Sequence, residues 1–123
     1  MSEIKLFRID HNKVIKRLKE FAKRKINENN NILAIILIGS LARGDYTAFS
    51  DADLVIIVKE DNRRFLDRIT EFIDPTLGID VDPIVYTLSE IKEIGKRNSR
   101  LMREIKEYGV LLAGDKRILE EIC

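Results

Sequence analysis

Two uninterrupted apolar segments dominate this sequence of 123 residues. They are ILAIILI at residues 32–38 and LVIIV at residues 54–58. Successive side chains of a strand point to opposite faces of its sheet, so a strand that is apolar throughout must be covered on both faces. The flanking sequence has helical periodicity, which indicates that helices cover the two faces. The two segments therefore predict the central strands of an α/β domain.

The connection between these two strands is short. About a dozen residues separate the apolar segments, which is the lower limit for a parallel crossover that contains a helix. We therefore expect an antiparallel pair, with its second strand at residues 52–58. The end of the first strand and the start of the second would then lie at the same edge of the sheet.

The rest of the chain alternates between helical and strand patterns. Helices are predicted at residues 10–27, 61–73 and 88–108, short helical segments at 40–44 and 115–122, and further strands at 79–86 and 110–113. The segment 61–73 is long enough to join its flanking strands in parallel. Together the patterns predict one domain over residues 1–123, an α/β fold with a single mixed β-sheet of about four strands flanked by helices.

Several residues predict how these elements begin and end. Asp10 is a predicted N-cap, and Thr87 with Glu90 forms a predicted capping box. Pro83 cannot donate a backbone hydrogen bond, so its strand is expected either to lie at a sheet edge or to have its N–H side free at that position. Gly109 is expected to end the long helix. Five apolar residues of segment 61–73 are expected to face inward: Phe65, Leu66, Ile69, Phe72 and Ile73.

Composition and charge narrow the function classes. The net charge is +1, from 22 basic and 21 acidic residues, which gives no general attraction to nucleic acid or to an anionic membrane. No apolar run reaches the roughly 18–20 residues that span a bilayer. The first ten residues lack the apolar stretch of a signal peptide, so a cytoplasmic protein is expected. The lone Cys123 is interpreted as a spare thiol.

Two pairs of carboxylates begin the second and third predicted strands. Asp51 and Asp53 are two residues apart and share a face, as do Asp80 and Asp82. If those strands are parallel neighbours, the pairs converge and repel each other unless cations neutralise them. A hard divalent ion, Mg²⁺, suits oxygen ligands, and two such ions could be bridged as in phosphoryl and nucleotidyl transfer. Either Asp80 or Asp82 could complete the set.

A small-residue pair at the exit of the first strand suits phosphate binding. Gly39 lets the backbone approach a phosphate closely, and Ser40 adds a hydroxyl donor at the start of a helical turn. Arg43, one turn further on, could add a charge-assisted hydrogen bond. Phosphate donors would thus face metal ligands across one edge of the sheet. The combination predicts a site for a metal-bound nucleoside triphosphate.

These residues resemble the signature of minimal nucleotidyltransferases, the smallest members of the DNA polymerase β superfamily. That signature is G-S, ten residues, then D-x-D, and here residues 41–50 separate Gly39 and Ser40 from Asp51 and Asp53. Ser50 before the first aspartate and Arg43 followed by glycine also fit. The segment VDPIVYT at 81–87 matches the setting of the family's third carboxylate. The resemblance extends from about residue 30 to residue 113.

The resemblance implies a polymerase β palm-like fold and a chemistry. Asp51, Asp53 and Asp82 would ligate Mg²⁺, and Asp82, preferred to Asp80 on this pattern, would help deprotonate the attacking hydroxyl. Phosphate and nucleotide binding would fall to four residues: Gly39, Ser40, Arg43 and Ser50. AMP from ATP would pass to a hydroxyl acceptor with release of pyrophosphate. We therefore expect a Mg²⁺-dependent nucleotidyltransferase that uses ATP.

The resemblance also implies a partner. One domain is expected, without a second one for a substrate, and family members of this size are often paired with a HEPN-domain protein as the antitoxin that adds AMP to its toxin. The alternative is a non-catalytic binding module that neutralises a HEPN RNase by complex formation. Surplus apolar surface could also bury a second copy of the chain. A Rossmann or P-loop nucleotide site is disfavoured because neither glycine motif is present.

Two features are assigned no chemistry at this point. His11 is expected at the surface. The basic run KRNSR at residues 96–100 is interpreted as a solvated helix face, with contact to the nucleotide or an acidic partner as the alternative.

Overall fold

The structure is a computed structural model that describes residues 10–47 and 49–122. The expectations for the N-terminal segment and for Cys123 lie outside the described residues. The helices are α1 (His11–Glu28), α2 (Ser40–Arg43), α3 (Leu88–Arg97), α4 (Ser99–Arg103) and α5 (Lys116–Ile122). The strands are β1 (Ile32–Ile38), β2 (Ala52–Val58), β3 (Val81–Thr87) and β4 (Val110–Gly114). Three 3₁₀ turns lie between β2 and β3, and a π-helical turn, Glu104–Tyr108, follows α4.

The four strands form one mixed sheet in the order β3-β2-β1-β4. Strand β1 is antiparallel to β2 and to β4, whereas β2 and β3 are parallel. The predicted antiparallel pairing of the two apolar segments is therefore confirmed. Strand β3, which contains Pro83, lies at an edge of the sheet as predicted. The sheet brings the end of β1 and the starts of β2 and β3 to one edge.

Both faces of the sheet are covered. On one face, Leu18 and Phe21 of α1 pack against side chains of the central strands: Ile35, Leu37, Leu54 and Ile56. On the other face, Ile91, Ile105 and Ile118 of the C-terminal helical segments bury the alternate strand side chains: Ile36, Val55 and Ile57. This alternation explains why β1 and β2 are apolar at every position. It also assigns Asp53, two residues before Val55, to the face of the C-terminal helices.

The predicted helix at residues 61–73 is wrong. The chain instead forms 3₁₀ turns at Phe65–Arg68, Thr70–Phe72 and Pro75–Leu77. Arg68 is buried in this connection, with an exposure of 6%. Three apolar side chains that were predicted to face inward are exposed instead. These are Phe65, Leu66 and Ile73, with exposures of 43%, 79% and 52%, whereas Phe72 is buried as expected.

Arg68 explains why this connection is irregular. Its guanidinium donates to the carbonyl oxygens of Asp61 (3.0 Å), Arg63 (3.2 Å) and Val85 (3.3 Å). It also forms a two-pronged pair with Glu90 at 2.6 and 3.2 Å. A buried guanidinium must be paired and hydrogen-bonded. The backbone folds around the Arg68 side chain. The helical pattern leaves Arg68 outside the set of residues expected to face inward.

The long C-terminal helix starts as predicted but does not run straight to Gly109. The capping box of Thr87 and Glu90 is present, and so is the predicted N-cap of α1 by Asp10. The helix breaks at Asn98, whose side chain accepts a hydrogen bond from the backbone N–H of Leu101 and caps α4. Asparagine competes for backbone groups in this way, which interrupts helices. The π-helical turn then ends at Gly109, as expected.

Candidate functional site

The parallel pairing of β2 and β3 places two of the predicted carboxylates side by side. Asp53 and Asp82 are register partners, as are Ala52 and Val81. Register partners point to the same face of a sheet. Asp51 comes one residue before β2, and Asp80 comes one residue before β3, where its carbonyl oxygen accepts from the N–H of Ala52 at 2.8 Å. The structure thus places Asp82 rather than Asp80 beside Asp53.

Gly39 lies against the carboxylate of Asp53. Its φ of 78° and ψ of −160° form a backbone conformation open to glycine and costly for other residues. A β-carbon at this position would lie 2.2 Å from Oδ2 of Asp53. The carbonyl oxygen of Gly39 accepts from the N–H groups of Ala42 and Arg43, which starts the short helix α2. The glycine therefore brings the predicted phosphate loop into contact with the predicted metal ligand.

Ser40 and Ser50 are hydrogen-bonded to each other. The hydroxyl of Ser40 donates to Oγ of Ser50 at 3.1 Å, and the N–H of Thr47 donates to the same Oγ at 2.8 Å. Ser50 thus ties the start of the loop to its end, just before Asp51. The structure brings both predicted serines to the loop, and their roles in binding a nucleotide stay predictions.

Arg43 lies between the loop and the C-terminal helices. Its Nε donates to Oδ2 of Asp45 at 3.3 Å, and its Nη1 forms a short ion pair with Oε1 of Glu104. These carboxylates raise the pKa of Arg43, the hydrogen bond to Asp45 contributing most. Sequence reasoning missed Glu104, which is 61 residues from Arg43 in the sequence. The sequence contains many glutamates, and spacing alone selects none of them as the partner.

The electrostatics of the site centre on Asp53. Burial raises the pKa of this carboxyl above its ordinary value, and the negative charges of Asp82 and Asp51 raise it further. The positive charge of Arg43 opposes that rise, whereas Glu104 adds to it. A carboxyl surrounded by other carboxylates favours a bound proton or a cation. The site therefore concentrates negative charge where the phosphate loop begins.

The donor set is of the right chemistry for a hard cation. Carboxylate oxygens are the ligands that Mg²⁺ takes in proteins. As the side chains stand in the described part of the chain, no three or more His, Cys, Asp or Glu residues are gathered closely enough to hold a metal ion. Asp51, Asp53 and Asp82 are thus close enough to repel one another but do not enclose an ion position in this structure.

His11, expected at the surface, is half-buried and contacts the loop. Its Nε2 lies 2.8 Å from the carbonyl oxygen of Leu41, and its ring stacks on Tyr46 with centroids 5.0 Å apart. A four-residue helix leaves carbonyl groups without internal partners, and His11 satisfies one of them. The histidine is half-buried and links α1 to α2.

The basic run at residues 96–100 takes no part in the described site. Lys96, Arg97, Asn98 and Arg100 are exposed. Lys96 and Arg97 pair with Glu93 at 3.1 and 3.9 Å. The interpretation as a solvated face agrees with these exposures. No helix in residues 10–47 and 49–122 is long and apolar enough to cross a membrane.

Comparison with known proteins identifies relatives across most of the chain. A family model described as "Nucleotidyltransferase domain" matches residues 13–112. Among curated proteins of Methanocaldococcus jannaschii, "Putative protein adenylyltransferase MJ0604" is 41% identical over 98 residues, which covers 79% of this chain and 95% of that relative. MJ0141, named in the same words, is 32% identical over 103 residues and covers 79% and 96%. MJ1305, also so named, is 33% identical over 81 residues, and the match spans about half of its length, 53%.

Solved structures share the fold. The crystal structure of "a putative nucleotidyltransferase from Sulfolobus solfataricus" aligns with a TM-score of 0.55 and 24% identity, covering 82% of this chain and 80% of that one. The structure of "the toxin-antitoxin with AMP-PNP" aligns with a TM-score of 0.54 and 22% identity, covering 93% and 81%. The predicted nucleotidyltransferase fold, a mixed four-stranded sheet flanked by helices, is confirmed by these likenesses.

Proposed function

This chain belongs to the nucleotidyltransferase domain family, and from that premise we propose that it transfers AMP from ATP to a hydroxyl group of a protein. The observation that carries the proposal is the contact between Gly39 and Asp53. A methyl group on Gly39 would fall 2.2 Å from the Asp53 carboxylate, and this contact supports a single site formed by the predicted phosphate loop and the acidic edge.

We infer that Asp51, Asp53 and Asp82 hold Mg²⁺, with two ions expected. When bound, Mg²⁺ would neutralise phosphate charge and stabilise the charge that develops during transfer. The raised pKa of Asp53, caused by burial and by its acidic neighbours, supports a cation at this edge. Gly39, Ser40, Ser50 and Arg43 would bind and orient the phosphates, which is the larger part of phosphoryl-transfer catalysis.

The proposed reaction is an in-line displacement. The acceptor hydroxyl oxygen bonds to the α-phosphorus, the bond from that phosphorus to the bridging oxygen breaks, and pyrophosphate leaves. We propose that Asp82, register partner of Asp53, takes up the hydroxyl proton. The shape of the site excludes a side chain at Gly39, which keeps the backbone available to the phosphates.

The names of the relatives support the proposal of a protein acceptor. The curated relatives are named as protein adenylyltransferases, and a solved structure of the same fold is a toxin–antitoxin with AMP-PNP. We propose that the acceptor is a toxin partner of the HEPN class, encoded with this chain, and that this chain is its antitoxin.

The transfer assay uses ATP labelled on the α-phosphate, with the protein co-purified with its partner, and Mg·ATP binding is measured by calorimetry. The Asp51→Asn/Asp53→Asn variant is expected to lose transfer by about 10³-fold, the effect of removing essential charge stabilisation. Asp82→Asn should cause a loss of similar size, and Asp80→Asn, one residue outside β3, is the matched control. The proposal would be contradicted if the wild-type chain did not bind Mg·ATP and the double substitution left the calorimetric result unchanged.

A second candidate is a non-catalytic module that neutralises an RNase partner by complex formation. It is favoured by the solved structure of a toxin–antitoxin with AMP-PNP, whose alignment covers 93% of this chain. The Asp51→Asn/Asp53→Asn variant separates the two candidates. Full neutralisation of the toxin in cells by this variant supports the module, and loss of neutralisation with an intact complex supports the enzyme.

A further inference from the structure

Arg43 is held by two carboxylates and keeps part of its guanidinium uncommitted. Asp45 accepts from Nε and Glu104 accepts from Nη1. Among the described residues, Nη2 has no hydrogen-bond partner. The side chain is 31% exposed. A planar guanidinium fixed at two nitrogens presents its third nitrogen in a defined position.

Glu104 comes from a distant and unusual part of the chain. It opens the π-helical turn Glu104–Tyr108, and single π-helical turns occur frequently at functional sites. Its side chain is 21% exposed, and its Oε2 is buried without a hydrogen-bond partner among the described residues. Its charge also acts on Asp53. Glu104 therefore lies within the electrostatic reach of the proposed metal ligands.

Stability alone does not account for this pair. Half-exposed ion pairs contribute little to folding, at most about 1 kcal/mol. A buried carboxylate oxygen without a partner opposes even that contribution. The same arrangement does have a consequence for binding, because an arginine held in place loses less side-chain freedom when it meets a ligand.

We propose that Glu104 is a positioning residue, which holds the guanidinium of Arg43 beside the acidic edge with Nη2 free to donate to a phosphate oxygen of ATP. Asp45 fixes the other side of the same guanidinium. The inference rests on the proposed function, because it takes ATP as the ligand. It adds that the C-terminal π-helical turn belongs to the nucleotide site, although the signature residues all lie before it.

The test is the equilibrium affinity for ATP, measured by calorimetry on the full chain with thermal unfolding recorded in parallel. Glu104→Ala is expected to weaken ATP binding about 5-fold, the effect of mobilising one long side chain. Glu104→Gln keeps an acceptor for Nη1 and should restore most of the affinity. Glu107→Ala, on the same turn, is the matched control, because Glu107 is exposed and contacts Arg103 at 4.0 Å.

A double-substitution cycle separates positioning from a general structural effect. In an Arg43→Gln background, Glu104→Ala should change ATP affinity no further, since there is no guanidinium to hold. An equal loss in both backgrounds, or wild-type affinity in Glu104→Ala, overturns the inference while leaving the proposed function intact. A wild-type chain that binds no ATP overturns the proposed function, and this inference falls with it.

Discussion

Two arginines, Arg68 in the β2–β3 connection and Arg43 at the candidate site, show how the same side chain serves different purposes. Arg68 is 6% exposed and donates hydrogen bonds from all three of its nitrogens. Arg43 is 31% exposed and uses only Nε and Nη1 among the described residues. A guanidinium with every donor used stabilises the fold. A guanidinium that keeps an unused hydrogen-bond donor beside an acidic edge is suited to binding a ligand.

The hydrogen-bond partners of the two arginines also differ. Arg68 is bonded to three backbone carbonyl oxygens and to Glu90, so it closes an irregular stretch of backbone. Among the described residues, the guanidinium of Arg43 is bonded to side chains only, and side chains can rearrange without moving the backbone. The comparison separates a structural centre from a functional one, and substitutions in each should affect different measurements.

The largest expected effect is on stability, from Arg68→Met. Removing the guanidinium leaves three carbonyl oxygens and Glu90 without their partner, so we expect a loss of about 3 kcal/mol in the free energy of unfolding. Urea denaturation measures it. Arg43→Gln is the matched variant and should change the free energy of unfolding by less than about 1 kcal/mol, as expected for a half-exposed pair. Equal losses in both variants would remove the distinction.

Gly39→Ala should affect both stability and activity. The positive φ of Gly39 is costly for alanine, and the added β-carbon would lie 2.2 Å from Asp53 Oδ2, so the Asp53 side chain would have to move and we expect a cost of about 2 kcal/mol. Displacement of the Asp53 carboxylate should lower transfer by about 100-fold. Gly44→Ala is the control for backbone strain alone, because a β-carbon there meets nothing within 4 Å although φ is 94°. Similar activity losses in the two variants would contradict the packing argument.

The smallest expected effect is a gain in stability, from Asp53→Asn. The pKa of Asp53 is raised in the folded chain above its ordinary value of 3.8, so the folded state binds this proton more tightly than the unfolded state. The free energy of unfolding therefore decreases as the pH rises from 3.8 through the pKa of Asp53 in the folded chain, because the carboxyl ionises. Asp53→Asn should then be more stable by a few degrees at pH 7, with the difference vanishing below about pH 4.

Thermal unfolding of both proteins across this pH range measures the Asp53 effect. Asp80→Asn, outside β3 and exposed, should unfold like the wild type throughout. A destabilised Asp53→Asn variant at pH 7 would show that the carboxylate is stabilised by the fold, contrary to the repulsion described above.

The sequence predicted the sheet well because its signals were local. The apolar runs gave β1 and β2, the short loop gave their antiparallel pairing, and Pro83 gave the edge position of β3. The G-S and D-x-D spacing gave Gly39, Ser40, Asp51 and Asp53, and the structure places the first of these against the last. These predictions depend on neighbouring residues and on strand alternation, which a single sequence contains.

The misinterpreted segments share a different cause. Residues 61–73 look helical by periodicity, but the buried guanidinium of Arg68 draws carbonyl groups to itself and replaces helical hydrogen bonds. No sequence pattern singled out Glu104. His11 looked solvated, yet it bonds to Leu41. Each depends on a contact between residues distant in sequence, which periodicity does not record.

By itself, then, the sequence determined the order of the strands along the chain, the apolar sheet and the acidic edge, because hydrophobic patterning and fixed spacing follow from the backbone. Only the tertiary structure decided that Asp82 rather than Asp80 is the partner of Asp53, that Arg68 is buried, and that Glu104 holds Arg43. Those choices depend on register and on charge pairing across the fold, where several candidates of equal chemistry compete and packing selects one.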